Sequence, residues 1–198
     1  EDTATATITV KMVLDIDCSV VDGSGQPVDV DPPPGDASPE YGHHAYQPGG
    51  GNIDASAGVS ADGAYYDGDT RYVCLGYKLL RYDPQQGQYV LDKEDTTTTV
   101  SIPRDTNYKL TWKWRQEHKL TVNIDDPLGN GQVYKRVGEQ LVDTVWFAAG
   151  TQVELEAVPK EQFRQWTGDA SGTNNQIVVT MNSAKNITLF VYLEKKYI

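Results

Sequence analysis

Nowhere in the 198 residues does an apolar run approach the ~20 residues that span a bilayer, so a membrane-inserted helix is excluded. Histidine is scarce, with only His43, His44 and His118, and no Cys/His spacing fits a zinc site. There is no Gly-x-Ser-x-Gly elbow, no phosphate-cradling glycine loop and no dinucleotide fingerprint, so the common catalytic frameworks and their cofactors have no foothold. Basic residues are outnumbered, 17 Lys+Arg against 28 Asp+Glu, for a net charge of −11. Such a polyanion repels phosphate backbones, which excludes nucleic acid as a partner. Nor does any stretch of twelve residues repeat with a 3.6 period, so helices of substance are not expected. The chain opens on the polar Glu1-Asp2-Thr3, as a processed product would.

What is present is packing material in strand-sized portions. Hydrophobic residues make up 38% and aromatics 10%, including 12 Tyr, enough to bury a core. From residue 3 to 18 apolar and polar residues alternate, Ala4, Ala6, Ile8, Val10, Met12, Leu14, Ile16 and Cys18 on one face and mostly Thr, Lys and Asp on the other. Period two is the signature of a β-strand. Residues 22–52 are dense in Pro and Gly and read as turns. Further strands are expected at 70–80, 96–102, 107–115, 118–124, 141–147, 151–158, 175–181 and 186–193, with a helical turn allowed only at Pro159–Phe163. The fold class is all-β or nearly so. Acid is concentrated in residues 1–100, with 5 Lys/Arg against 17 Asp/Glu, whereas residues 101–198 hold 12 against 11. This asymmetry points to two domains. The division is an extended N-terminal strand at 1–13, an acidic first domain at 14–116 and a second at 117–198. Arg115–Lys119, short and without Gly or Pro, is the expected junction between two small tandem β-sandwich or β-grasp-like domains.

The second domain carries recognisable words. They run His118-Lys119-Leu120-Thr121-Val122, then Trp146 through Ala157, then Phe163-Arg164-Gln165-Trp166-Thr167-Gly168-Asp169, then Ile177–Met181 and Lys185-Asn186-Ile187-Thr188. Residues 118–194 in this order resemble the divergent internalin-type B repeat, the bacterial repeat module of secreted and surface proteins. Gln165 stands where that module usually has the Gly of its Gly-Trp-Thr-Gly-Asp word. Residues 43–115 resemble a degenerate copy, with Tyr77 in place of the Trp. The resemblance implies a small β-grasp-like or β-sandwich unit used as spacer, stalk or adhesion module without catalysis.

Cys18 and Cys74 both fall in expected strands of the first domain, and a disulfide between them would contribute about 4 kcal/mol by constraining the unfolded chain. That bond would also place the protein outside the cytoplasm. His43 and His44 read as surface loop residues and His118 as a junction residue. The carboxylate pairs Asp15/Asp17, Asp29/Asp31, Asp67/Asp69 and Asp125-Asp126 leave calcium open, although the twelve-residue calcium loop is absent. Trp112, Trp114, Trp146 and Trp166 are read as core first and as a sugar-stacking platform second. Asn186-Ile187-Thr188 is the single N-glycosylation pattern, so Asn186 should face outward.

These observations converge on a secreted, cell-surface, non-enzymatic structural protein. The alternating run at residues 3–18 is too long for a small domain, and an apolar-faced strand without a partner invites another subunit, which residues 3–13 would reach. Its face of Ala4, Ala6, Ile8, Val10 and Met12 is therefore the candidate assembly strand of a homo-oligomer or filament, built by β-strand addition. Folding back into its own domain is the competing expectation. An accessory, adhesion or glycan-binding module of a larger surface protein is the alternative role.

Overall fold

Met12, Leu14, Ile16 and Val20 are buried while the residues between them are open or half-buried, so the alternation read in the sequence closes into strand β1 (Met12–Val21). The structure, a computed structural model, describes residues 11–127 and 129–192. After β1 come β2 (Gly42–Tyr46), β3 (Ile53–Ser56), β4 (Ala64–Asp67), β5 (Thr70–Asp83), β6 (Gln88–Asp95), β7 (Thr99–Ile102) and β8 (Tyr108–Asp125). They are followed by β9 (Gln132–Val137), β10 (Gln140–Leu141), β11 (Trp146–Ala148), β12 (Gln152–Val158), β13 (Phe163–Gly168), β14 (Gln176–Thr180) and β15 (Lys185–Val191). The one helical element among the described residues is a 3-10 turn at Lys160–Gln162, behind Pro159, where the sequence allowed it. The chain is all-β.

Two compact units share these strands. Of the described residues, the first takes those up to Val20, Val28–Tyr65 and Tyr72–Trp114, and the second takes Val21–Pro27, Tyr66–Arg71 and those from Arg115 on. Arg115–Lys119, where the last segment of the second unit begins, is strand rather than loop. It is the middle of the 18-residue β8, whose buried residues continue through Glu117, His118 and Leu120. Backbone pairing overrides the composition signal there, because neighbouring strands satisfy its donors and acceptors.

In the first unit β8 is the central strand. Tyr82 N–H donates to the Asn107 carbonyl at 2.8 Å, and β5 follows β8 from there. With that edge of β8 taken by β5, β1 lies on the other, giving the order β6-β5-β8-β1-β2. Leu14, Tyr77, Leu79, Leu110, Trp112 and Trp114 fill the core beneath this sheet, covered by the antiparallel β3–β7 pair through Ile53, Ala55, Val100 and Ile102.

This strand order corrects the disulfide expected from the sequence. Cys18 on β1 and Cys74 on β5 are free thiols, both half-buried against the same core. Because β8 runs between their strands, at least two strand spacings, ~9–10 Å, separate them, beyond the ~7 Å that a disulfide tolerates between Cα atoms. The pair therefore carries no statement about cellular compartment.

The second unit has two sheets. One is β13-β15-β8 with β11 also on β8; β15 runs parallel to β8, from Lys185 opposite Leu120 to Phe190 opposite Asp125. The other is β10-β9-β12-β14, all antiparallel. Leu120, Phe147, Trp166, Ile187 and Leu189 from the first meet Val153, Leu155, Ala157 and Val179 from the second, a two-layer core.

Candidate functional site

Of the candidate assembly residues, Ala4, Ala6, Ile8 and Val10 lie outside the described residues. Met12 does not belong with them as a free donor. It sits opposite Tyr46 in the β1–β2 ladder and is 3% exposed, an anchor of its own unit.

Asn186 lies on β15 with its neighbours Lys185 and Ile187 half-buried and buried, and it faces outward as an exposed residue. Its Oδ1 accepts a hydrogen bond from Asn123 Nδ2 at 2.7 Å, and its backbone N–H donates to Asp169 Oδ2 at 2.7 Å.

The histidines separate. His43, on β2, pairs its Nδ1 with Asp15 Oδ1 at 2.7 Å, and His44 donates from Nε2 to the Glu40 carbonyl at 2.6 Å, both on the surface. His118 is buried, because β8 carries it opposite Phe147 in the second unit. Burial, followed by the positive Lys185, holds its pKa below the ordinary imidazole value. The Asp pairs do not converge: among the described residues no three His, Cys, Asp or Glu side chains come together as a metal site.

The tryptophans are mostly core. Trp112, Trp114 and Trp166 are at most 1% exposed, which removes them from any sugar-stacking surface. Trp146 differs. It lies half-buried on β11, with the Arg71 guanidinium 5.1 Å over its ring and Tyr66 edge-on at 5.6 Å.

Arg71 leads to a cluster that the sequence did not disclose. Its Nε and Nη2 both reach Glu117 Oε2, at 2.8 and 2.7 Å, while Arg115 contacts Glu117 Oε1 through Nε at 3.1 Å and Nη2 at 2.6 Å. The Glu117 carboxylate is only 6% exposed and both its oxygens are bound. Burial alone would pull the Arg71 pKa down, but hydrogen bonds to Tyr66 and Glu117 carry it up, so the guanidinium stays charged. Arg71 and Glu117 are 46 residues apart. The arrangement positions side chains and leaves the carboxylate no open lone pair for acid–base work.

The Trp-Thr-Gly-Asp word has a structural meaning of its own. Trp166 fills the core and donates from Nε1 to the Asn174 carbonyl at 3.0 Å. Gly168 has φ +96°, and a Cβ there would run into the Asn186 carbonyl oxygen, so only glycine lets β13 close on β15. Asp169 then fastens both backbone groups of Asn186: its N–H donates to the Asn186 carbonyl at 3.0 Å and its Oδ2 accepts the Asn186 N–H.

Residues 128–190 match the divergent InlB B-repeat domain. Its described part runs from Gly129, after the end of β8, into β15 and lies within the second unit. It contains the Trp166–Asp169 word, whose members hold two strands together. No curated protein and no solved structure matches the chain. The B-repeat fits a surface or adhesion module of a secreted protein.

Proposed function

We propose that this chain is a non-enzymatic structural protein of the bacterial cell surface, whose copies join by adding the N-terminal strand of one to a sheet of the next. The observation that carries the reading is Met12. It fixes β1 in the core of its own unit, and the eight residues Thr3–Val10 immediately before Lys11 continue the same apolar/polar alternation without a charge. A segment of that kind, tethered to a folded body, is suited to β-strand addition, in which main-chain hydrogen bonds supply affinity and alternate side chains supply register. The B-repeat in the second unit supports a surface role.

Sedimentation velocity of the full chain over rising concentration, beside a variant lacking residues 1–10, tests this. Species heavier than the 21.9 kDa monomer should form with the full chain and vanish with the variant, whose circular dichroism stays unchanged. A full chain that stays monomeric at every concentration overturns the reading.

A second reading, an adhesion module that binds glycans, is favoured by Tyr66, which is 42% exposed beside Trp146. With the other three tryptophans buried, a change in intrinsic fluorescence on adding oligosaccharide would report Trp146.

A further inference from the structure

We infer that the open edge of β14 is the acceptor for residues 3–10 of another copy of this chain; the inference rests on the strand-addition reading above. β14 ends the sheet β10-β9-β12-β14, and among the described residues no strand lies on its outer side. Edge strands are ordinarily blunted by charge, proline, a bulge or extreme shortness. β6, one of the two outer strands of the first unit's larger sheet, follows that rule with Asp92, Lys93, Glu94 and Asp95; β2, the other, is blunted only by His43 and His44, and β10 is only two residues long. β14 breaks it. Gln176-Ile177-Val178-Val179-Thr180 has no charge, no proline and no glycine, and Val178 is 61% exposed.

The donor matches on three counts. Thr3-Ala4-Thr5-Ala6-Thr7-Ile8-Thr9-Val10 is likewise uncharged, so pairing the two desolvates no unpaired ion. Its eight residues exceed the five of β14, so a full ladder can form. The faces also correspond. Ile177 and Val179 belong to the core side of β14, where Ala4, Ala6, Ile8 and Val10 would extend the second unit's apolar layer. Gln176, Val178 and Thr180 lie on the outer side, opposite the donor threonines, and Thr–Thr and Thr–β-branched neighbours stabilise a sheet surface. Val178 already stands beside Glu154 of β12 on that outer face, so the new strand would complete its cover.

The test uses the full chain with Val178→Asp and, separately, Ile8→Asp, read by sedimentation and by amide hydrogen exchange over Ile177–Thr180. Thr180→Lys is a second edge variant at an exposed position, should Val178→Asp fail to fold. The expected result is loss of assembly in each variant with unchanged circular dichroism, and β14 protection that rises with concentration in the parent chain only. Assembly abolished by Ile8→Asp but untouched by both edge variants overturns the acceptor assignment while the strand-addition reading stands. Assembly that survives removal of residues 1–10 yet disappears with Val178→Asp means that β14 pairs with its own copy, which also overturns the inference. Protection of β14 in a monomer at every concentration overturns it in favour of docking within one chain. Absence of assembly in the parent chain removes the strand-addition reading as well.

Discussion

Arg71 Nη2 stands 2.7 Å from Glu117 Oε2, so a residue at the start of β5 is locked to the middle of β8 by a carboxylate that solvent scarcely reaches. Arg115 takes the other oxygen of the same group. Removing Glu117 leaves two guanidinium groups facing each other with no anion between them. Breaking a buried pair costs about 3–5 kcal/mol, and the partial exposure of Arg71 and Arg115 lowers that expectation to roughly 2–3 kcal/mol for Glu117→Ala. Urea unfolding followed by circular dichroism measures it. Glu117→Gln should retain part of the loss-free geometry and fall between parent and Ala; an Ala variant as stable as the parent would show the cluster to be inert.

Trp166 anchors the core of the second unit, its ring 5.8 Å from that of Phe163. Trp166→Ala should cost about 3–5 kcal/mol. Trp166→Phe keeps most of the volume and loses the bond to the Asn174 carbonyl, a smaller loss of ~1 kcal/mol. Thermal unfolding of the three proteins orders them as parent, Phe, Ala.

His118 gives the second unit a pH response. Its charged form is disfavoured by burial, so the unfolded chain takes up its proton more readily than the folded one. The stabilisation is fully present above the unfolded imidazole value of ~6.5 and is lost as pH falls through the lower folded value. Between pH 7 and 5 the parent should lose more stability than His118→Gln, as read by denaturant midpoints at each pH. Parallel curves for the two proteins would rule the residue out as the source.

Cys18 and Cys74 should each take one alkyl group in denaturant without prior reduction, for a mass gain of two labels per chain. In the folded protein both should react slowly at neutral pH, since burial pushes each thiol pKa up and so lowers its thiolate fraction. Failure to label in denaturant until a reductant is added would restore the disulfide.

What the sequence determined by itself was local. The alternation of Met12, Leu14 and Ile16, the run Gln152–Val158 and the turn behind Pro159 are legible because a strand's side-chain period and a proline's fixed φ act within a few residues. The Trp166–Asp169 word was legible through its resemblance to the B-repeat and through the size of the Trp166 ring, whereas the hold of Gly168 and Asp169 on Asn186 emerged only once β15 lay beside β13. β2, β6 and β9 were not legible; they lie at or near sheet edges, where half their residues face water and the alternation fades. Only the tertiary structure decided that 107–115 and 118–124 form one strand, that β8 separates Cys18 from Cys74, and that Arg71 meets Glu117. Each of these depends on which strands lie side by side, a choice made by burial of the whole core across tens of residues of intervening chain, and no single stretch of the sequence contains it.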